Sequence, residues 1–184
     1  MTTSTKALIG VLLAGTVGII AFLFVHLSGG GSPIGSKSAS AACVKGQKEC
    51  LPDVNYVDTT GKAYTAQSLN GKVVVVNFWA TWCKPCQHEI PALSAAYDKY
   101  KAKNVVFLGV MTDNADDQSL LNFESDHEMT YPIVRASSDI LVSYNYPESL
   151  PTTFVFDKGG TQIFSKVGGI TQRELNDLID PLVR

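Results

Sequence analysis

The run Val73-Val74-Val75-Val76-Asn77-Phe78 limits the fold more than any other feature of this chain. β-Branched side chains are stiff at χ1 and fit a pleated surface, so the segment reads as a strand. It has no polar face, because only Asn77 interrupts the apolar residues. Such a strand needs cover on both sides, which places it in the centre of a sheet with helices on its faces. Val105 to Val110 (VVFLGV) has the same character. Between the two runs, Ile90, Leu93, Tyr97 and Tyr100 recur at helical spacing and complete a strand–helix–strand unit.

The rest of the chain continues the alternation. The spacing predicts a helix over Asp113 to Glu128, with Leu120, Leu121 and Phe123 on its inner face and six acidic residues on a solvated face. Thr153 to Phe156 and Gln162 to Val167 read as strands joined by the turn Asp157-Lys158-Gly159-Gly160. Thr171 and Glu174 make a T-x-x-E capping box, followed by Leu175, Leu178, Ile179 and Leu182 at i, i+3, i+4 and i+7. Val54 to Val57 and the segment near Tyr64 suggest an N-terminal hairpin, with both tyrosines as sheet residues. The fold class is therefore α/β, with a mixed central β-sheet flanked by helices.

The N-terminus has a different character. Ala7 to Leu27 contains no Asp, Glu, Lys or Arg. A helix of that length spans about 31 Å, which matches the hydrocarbon core of a bilayer. Residues 1–27 are therefore expected to be a retained membrane anchor. A cleaved signal peptide fits less well: its apolar region is usually about 7–15 residues, and the small-x-small site Ala39-Ser40-Ala41 lies well past Leu27. Residues 28–42 are rich in Gly, Ser and Ala and read as a flexible tether, leaving 43–184 as the folded domain. With 15 basic and 17 acidic residues the formal net charge is −2, too little positive charge for a nucleic-acid partner.

The chemistry-bearing motif is Cys83-Lys84-Pro85-Cys86, just after the central strand and at the start of the next helix. A helix N-terminus carries about half a positive charge and free N–H groups, which favour a thiolate. Cys83 is expected to be the exposed nucleophile, with Lys84 adding positive charge. Cys86, one turn in and more shielded, is expected to resolve the mixed disulfide. Pro85 suits the first helical turn, where a missing N–H costs nothing. Haem attachment would need His after Cys86, and Gln87 stands there. Zinc is disfavoured because Cys43 and Cys50 are not a second closely spaced pair, so no resident metal is expected. Two thiolates could instead hold Cu(I), with His88 or Met111 nearby, which keeps a copper-delivery module as the alternative. A peroxiredoxin pattern would need threonine at Ala80 and proline at Val76.

The segment Trp79-Ala80-Thr81-Trp82-Cys83-Lys84-Pro85-Cys86-Gln87-His88-Glu89-Ile90-Pro91, together with Ser149-Leu150-Pro151-Thr152-Thr153-Phe154, resembles thioredoxin-like proteins. It is most similar to their membrane-anchored, extracytoplasmic branch of TlpA and ResA type, over about Leu51 to Arg184. The resemblance implies a thioredoxin-like fold, a cis bond before Pro151, and a Leu150 backbone that pairs with substrate by strand addition. It also implies a redox-active Cys83–Cys86 disulfide with no separate cofactor. The expected substrates are protein disulfides, apocytochrome c among them, with a membrane thiol donor restoring the dithiol. The expected location is a bacterial cytoplasmic membrane, with the domain on the periplasmic or outer side.

Many thioredoxins carry a buried Asp where this chain has Asn77. Glu89 matches an acidic residue of the TlpA/ResA branch and is the substitute general base, unless it is an exposed first-turn Glu favoured by the helix dipole. Trp82 either shields the nucleophile or packs into the core. His88 is expected to face solvent, Trp79 to pack, and Pro91 to interrupt and kink its helix. Cys43 and Cys50 are candidates for a structural disulfide at the tether junction, contributing about 2–3 kcal/mol through loop closure, or for a second redox pair. Either favours an oxidising compartment.

Overall fold

The computed structural model describes residues 49–184. The strand β1 (Tyr56–Val57) pairs antiparallel with β2 (Ala63–Tyr64), giving the N-terminal hairpin. A short helix, α1 (Ala66–Leu69), follows. The buried valine run is β3 (Val73–Trp79), and helix α2 (Lys84–Tyr100) leads from it to β4 (Val105–Met111). Then come α3 (Asp117–Asp126), β5 (Ile133–Arg135), α4 (Ser138–Ser143), β6 (Thr152–Phe156), β7 (Gln162–Val167) and α5 (Gln172–Ile179). The main sheet has the order β5-β4-β3-β6-β7. β3 runs parallel to β4 and antiparallel to β6, so the sheet is mixed as expected.

β3 lies in the middle, with β4 beside it, because both strands offer two apolar faces. Val73, Val75 and Trp79 pack on one side with Leu93, Ala96 and Tyr100 of α2 and Leu175 and Ile179 of α5. Val74, Val76 and Phe78 pack on the other with Tyr56, Tyr64, Leu69 and Ile140. Thr171 and Glu174 form the expected capping box of α5. The two hairpin tyrosines do more than fill a sheet. The Tyr56 hydroxyl meets that of Tyr144 at 2.8 Å, and Tyr64 donates to Asp58 at 3.0 Å.

Several expectations change. Helix α3 begins only at Asp117, because Asp116 caps it by accepting from Ser119 N–H. Leu121 is 58% exposed and not on the inner face, whereas Leu120 is buried. Two of the six acidic residues leave the solvated face: Asp113 accepts from Thr81, and Oε1 of Glu124 is buried. Helix α2 runs through Pro91 unbroken; only one intrahelical N–H is missing there, and the buried Ile90 and Leu93 anchor the helix on both sides. The short elements α1, β5 and α4 were absent from the expected order, since runs of three to six residues carry no clear period. The anchor over 1–27, the tether over 28–42 and Cys43 lie outside the described residues. Among the described residues no helix is long and apolar enough to cross a membrane.

Candidate active site

Cys83 is the N-cap of α2, with an extended backbone. Its Sγ accepts the Cys86 N–H at 3.3 Å, the position a capping oxygen would take. The two cysteines form a disulfide with an S–S distance of 2.03 Å. A thiolate at Cys83 would meet the same N–H and the positive end of the helix. Lys84 and Pro85 follow on the exposed first turn, where the Lys84 ammonium donates to Gln87 Oε1 at 3.2 Å. Cys83 is not openly exposed: 4% of it is accessible against 1% for Cys86. Trp82, by contrast, is 70% exposed, which removes the core-packing reading and leaves an exposed indole next in sequence to Cys83.

Glu89 is buried, at 4% exposure, so the solvated first-turn reading is corrected. Asn77 Nδ2 donates to its Oε1 at 2.7 Å, and the Ile170 N–H donates to its Oε2 at 2.8 Å. Burial pushes its carboxyl up to about 7, although the Ile170 and Asn77 hydrogen bonds and the Lys166 charge pull the other way. Glu89 lies three residues past Cys86, a helical spacing that brings side chains to the same face. A buried carboxyl that titrates near neutrality can both take and return a proton. Asn77 also donates to Thr153 Oγ1 at 3.0 Å, so the polar interruption in the valine run ties β6 and α2 to β3.

The Leu150–Pro151 bond is cis, as the resemblance implied. Thr152 follows it and pairs with Phe78, one residue before the end of β3. The buried Pro151 therefore sits at the end of the sheet from which the Cys-x-x-Cys turn leaves. The Pro151 carbonyl is taken by Gly168 N–H at 2.8 Å, whereas neither the N–H nor the carbonyl of Leu150 has a protein partner among the described residues. His88 is exposed, and Trp79 is buried and stacked on Phe123. Cys50 is disulfide-bonded, and it bridges Thr161 in the loop before β7. No group of three or more His, Cys, Asp or Glu side chains suited to a metal occurs among the described residues.

Comparison with known proteins identifies the family. The family model for the AhpC/TSA family matches residues 48–162. The chain belongs to the AhpC/TSA family. The thiol-disulfide oxidoreductase ResA of Bacillus thuringiensis (strain Al Hakam) is 32% identical over 124 residues, covering 67% of this chain and 71% of the relative. The thioredoxin-like protein YneN of Bacillus subtilis (strain 168) is 32% identical over 130 residues, covering 70% and 76%. A thiol:disulfide interchange protein of the thioredoxin family from Chlorobium tepidum TLS superposes with a TM-score of 0.66 at 25% identity, covering 77% of this chain and all of that structure. Within the family this chain is an enzyme of the thioredoxin-like, thiol–disulfide oxidoreductase kind, with a Cys83–Cys86 disulfide. The peroxide-type threonine and proline positions stay occupied by Ala80 and Val76.

Two groups near the site had no sequence signal. Thr81 and Asp113 lie 32 positions apart, and no motif joins them. Ile170 offers Glu89 a backbone N–H, which any residue would supply.

Proposed function

We propose that this family member is an extracytoplasmic, membrane-anchored reductase of protein disulfides, of the kind that serves cytochrome c maturation. The observation that carries the reading is the pairing of an N-capping Cys83 with a buried Glu89 one turn beyond Cys86. In the reduced enzyme the Cys83 thiolate attacks one sulfur of the substrate disulfide. One substrate thiolate leaves, and a mixed disulfide forms. Glu89 takes the Cys86 proton, and the Cys86 thiolate attacks Cys83 Sγ. The second substrate thiolate leaves, and the Cys83–Cys86 disulfide closes. A membrane dithiol donor returns two electrons and two protons.

Leu150 beside Pro151 offers its free backbone groups to an extended substrate segment, and Trp82 borders that segment. Apocytochrome c is the substrate class in view. The anchor over 1–27 and the tether over 28–42 would keep the domain at the outer face of the cytoplasmic membrane. The apolar Ala7–Leu27 segment and a Cys50 disulfide support that placement. No separate cofactor is needed, since the disulfide itself carries the electrons. The test is reduction of insulin disulfides by the dithiol form, together with the midpoint potential of Cys83–Cys86 against glutathione. Insulin reduction and a potential below that of the glutathione pool support the reading. A potential near that of a strong oxidase overturns the direction of flow.

A further inference from the structure

The turn that presents Cys83 has no regular secondary structure, since β3 ends at Trp79 and α2 begins at Lys84. The loop after β4 holds it in place. Thr112 N–H donates to Trp79 carbonyl at 2.9 Å, and the Thr112 hydroxyl donates to the same oxygen at 3.1 Å. One residue on, the Asp113 carboxylate takes both polar hydrogens of Thr81. The Thr81 N–H reaches Asp113 Oδ2 at 3.2 Å, and the Thr81 hydroxyl makes a short hydrogen bond to the same oxygen. The remaining polar group of Thr81, its carbonyl, accepts from Gln87 Nε2 at 2.6 Å. Cys83 N–H closes the turn on the Ala80 carbonyl at 3.1 Å. All three hydrogen-bonding groups of Thr81 are therefore occupied: two from the β4–α3 loop and one from the first turn of α2.

We infer that Asp113 is a positioning residue of the redox site, acting through Thr81 to hold Cys83 at the N-cap of α2. The inference rests on the reading of Cys83 as the attacking thiolate and adds the group that keeps it there. The N-cap contact from Cys86 N–H to Cys83 Sγ is 3.3 Å and depends on the angle at which the chain enters the helix. Losing the Asp113 anchor frees Thr81 and lets that angle relax. The thiolate then loses both its capping N–H and its alignment with the helix axis. Oδ1 of Asp113 is buried and unpartnered, so the carboxylate is committed to Thr81 and to no neighbouring cation. Arg135 is occupied elsewhere, donating to the Ala115 carbonyl and to Asp117. A serine or an alanine at 113 cannot reach both Thr81 hydrogens. An asparagine can, through its single carbonyl oxygen.

The test uses the full chain in detergent, with circular dichroism to verify folding. Two quantities are measured: the apparent pKa of Cys83 from the pH dependence of iodoacetamide alkylation, and the rate of insulin reduction. Asp113→Ala is expected to raise the Cys83 pKa, cutting alkylation at pH 7 about tenfold, and to slow insulin reduction about tenfold or more. Asp113→Asn is expected to recover both to within about threefold, because it restores the clamp without the charge. Thr81→Val should reproduce the loss and Thr81→Ser the recovery, which keeps the test open if Asp113→Ala does not fold. Unchanged alkylation in Asp113→Ala and Thr81→Val overturns the inference, as does an Asp113→Asn protein as impaired as Asp113→Ala. Alkylation needs no substrate disulfide, so a failure of the clamp and a failure of the reductase reading give different results.

Discussion

Asn77 Nδ2 donates to Glu89 Oε1 at 2.7 Å, joining the one polar position of the central strand to the one buried carboxylate of the active-site helix. The amide supports the ionised form, yet burial wins and the carboxyl titrates near 7. If Glu89 takes the proton of Cys86, the resolving step should accelerate as pH rises through about 7. In Glu89→Gln that rise should move toward the ordinary thiol value of about 8.5, and resolution at pH 7 should slow about 10-fold or more. Stopped-flow decay of a preformed mixed disulfide reads this step directly. An unmoved pH profile would remove Glu89 from the mechanism.

The same carboxyl sets a stability slope. Its folded value of about 7 lies above the ordinary 4.5, so the folded state holds the proton more tightly than the unfolded state. The stabilisation is complete below pH 4.5 and fades as pH rises through 7. That amounts to on the order of 3 kcal/mol at most. Denaturant titrations from pH 5 to pH 8 should therefore show stability falling, and the slope should flatten in Glu89→Gln. Glutamine has one acceptor for two donors, so the variant should also lose about 1–3 kcal/mol at pH 5. Glu174, held down to about 2 chiefly by its hydrogen bond from Lys166, titrates below this window and does not contribute to the slope.

The two cysteines should separate in trapping experiments. Cys86→Ser should accumulate mixed disulfides with protein partners, because attack proceeds and resolution does not. Cys83→Ser should accumulate almost none. In the reduced protein Cys83 should alkylate first, with an apparent pKa below about 8.5. Mass spectrometry of the trapped species would name the substrates. Equal trapping by both variants would reverse the assigned order of attack.

Gly109 pairs with Asn77 across the sheet, and its α-carbon lies beneath two rings. A Cβ there would sit 2.7 Å from Tyr131 Cε2 and 3.2 Å from Trp79 Nε1. Both side chains are buried and cannot move aside freely. Gly109→Ala should therefore cost about 1–3 kcal/mol through overpacking. Trp82→Ala should leave stability within about 0.5 kcal/mol, since the indole is 70% exposed, while raising the KM for a protein substrate. Thermal unfolding and insulin-reduction kinetics on the two variants separate the packing role from the surface role.

The proposed anchor has a topological consequence. A reporter active only outside the cytoplasm, fused after Arg184, should be active, and the mature protein should retain its N-terminus. Recovery of a chain that begins at Ala42 would instead indicate a secreted protein.

The sequence by itself determined the sheet centre, the active-site helix, the closing β-hairpin and the capped last helix. Each rests on a local apolar pattern, on a turn that flanks it, or on a cap that chain neighbours complete, so the local sequence reports them. The Cys-x-x-Cys turn was legible for the same reason, as was its place between a buried strand and a helix N-terminus. Short elements such as β5 and α4 were not legible, because three to six residues take their conformation from the edge or layer they pack on. Tertiary structure alone decided the state of Glu89. Its chain neighbours allow either an exposed or a buried carboxylate; Asn77 from β3 and the Ile170 N–H from beyond β7 make it buried, and burial brings its titration near neutrality. The grip of Asp113 on Thr81 is of the same kind. It depends on two loops brought together by the parallel pairing of β3 with β4, a contact that no local spacing encodes.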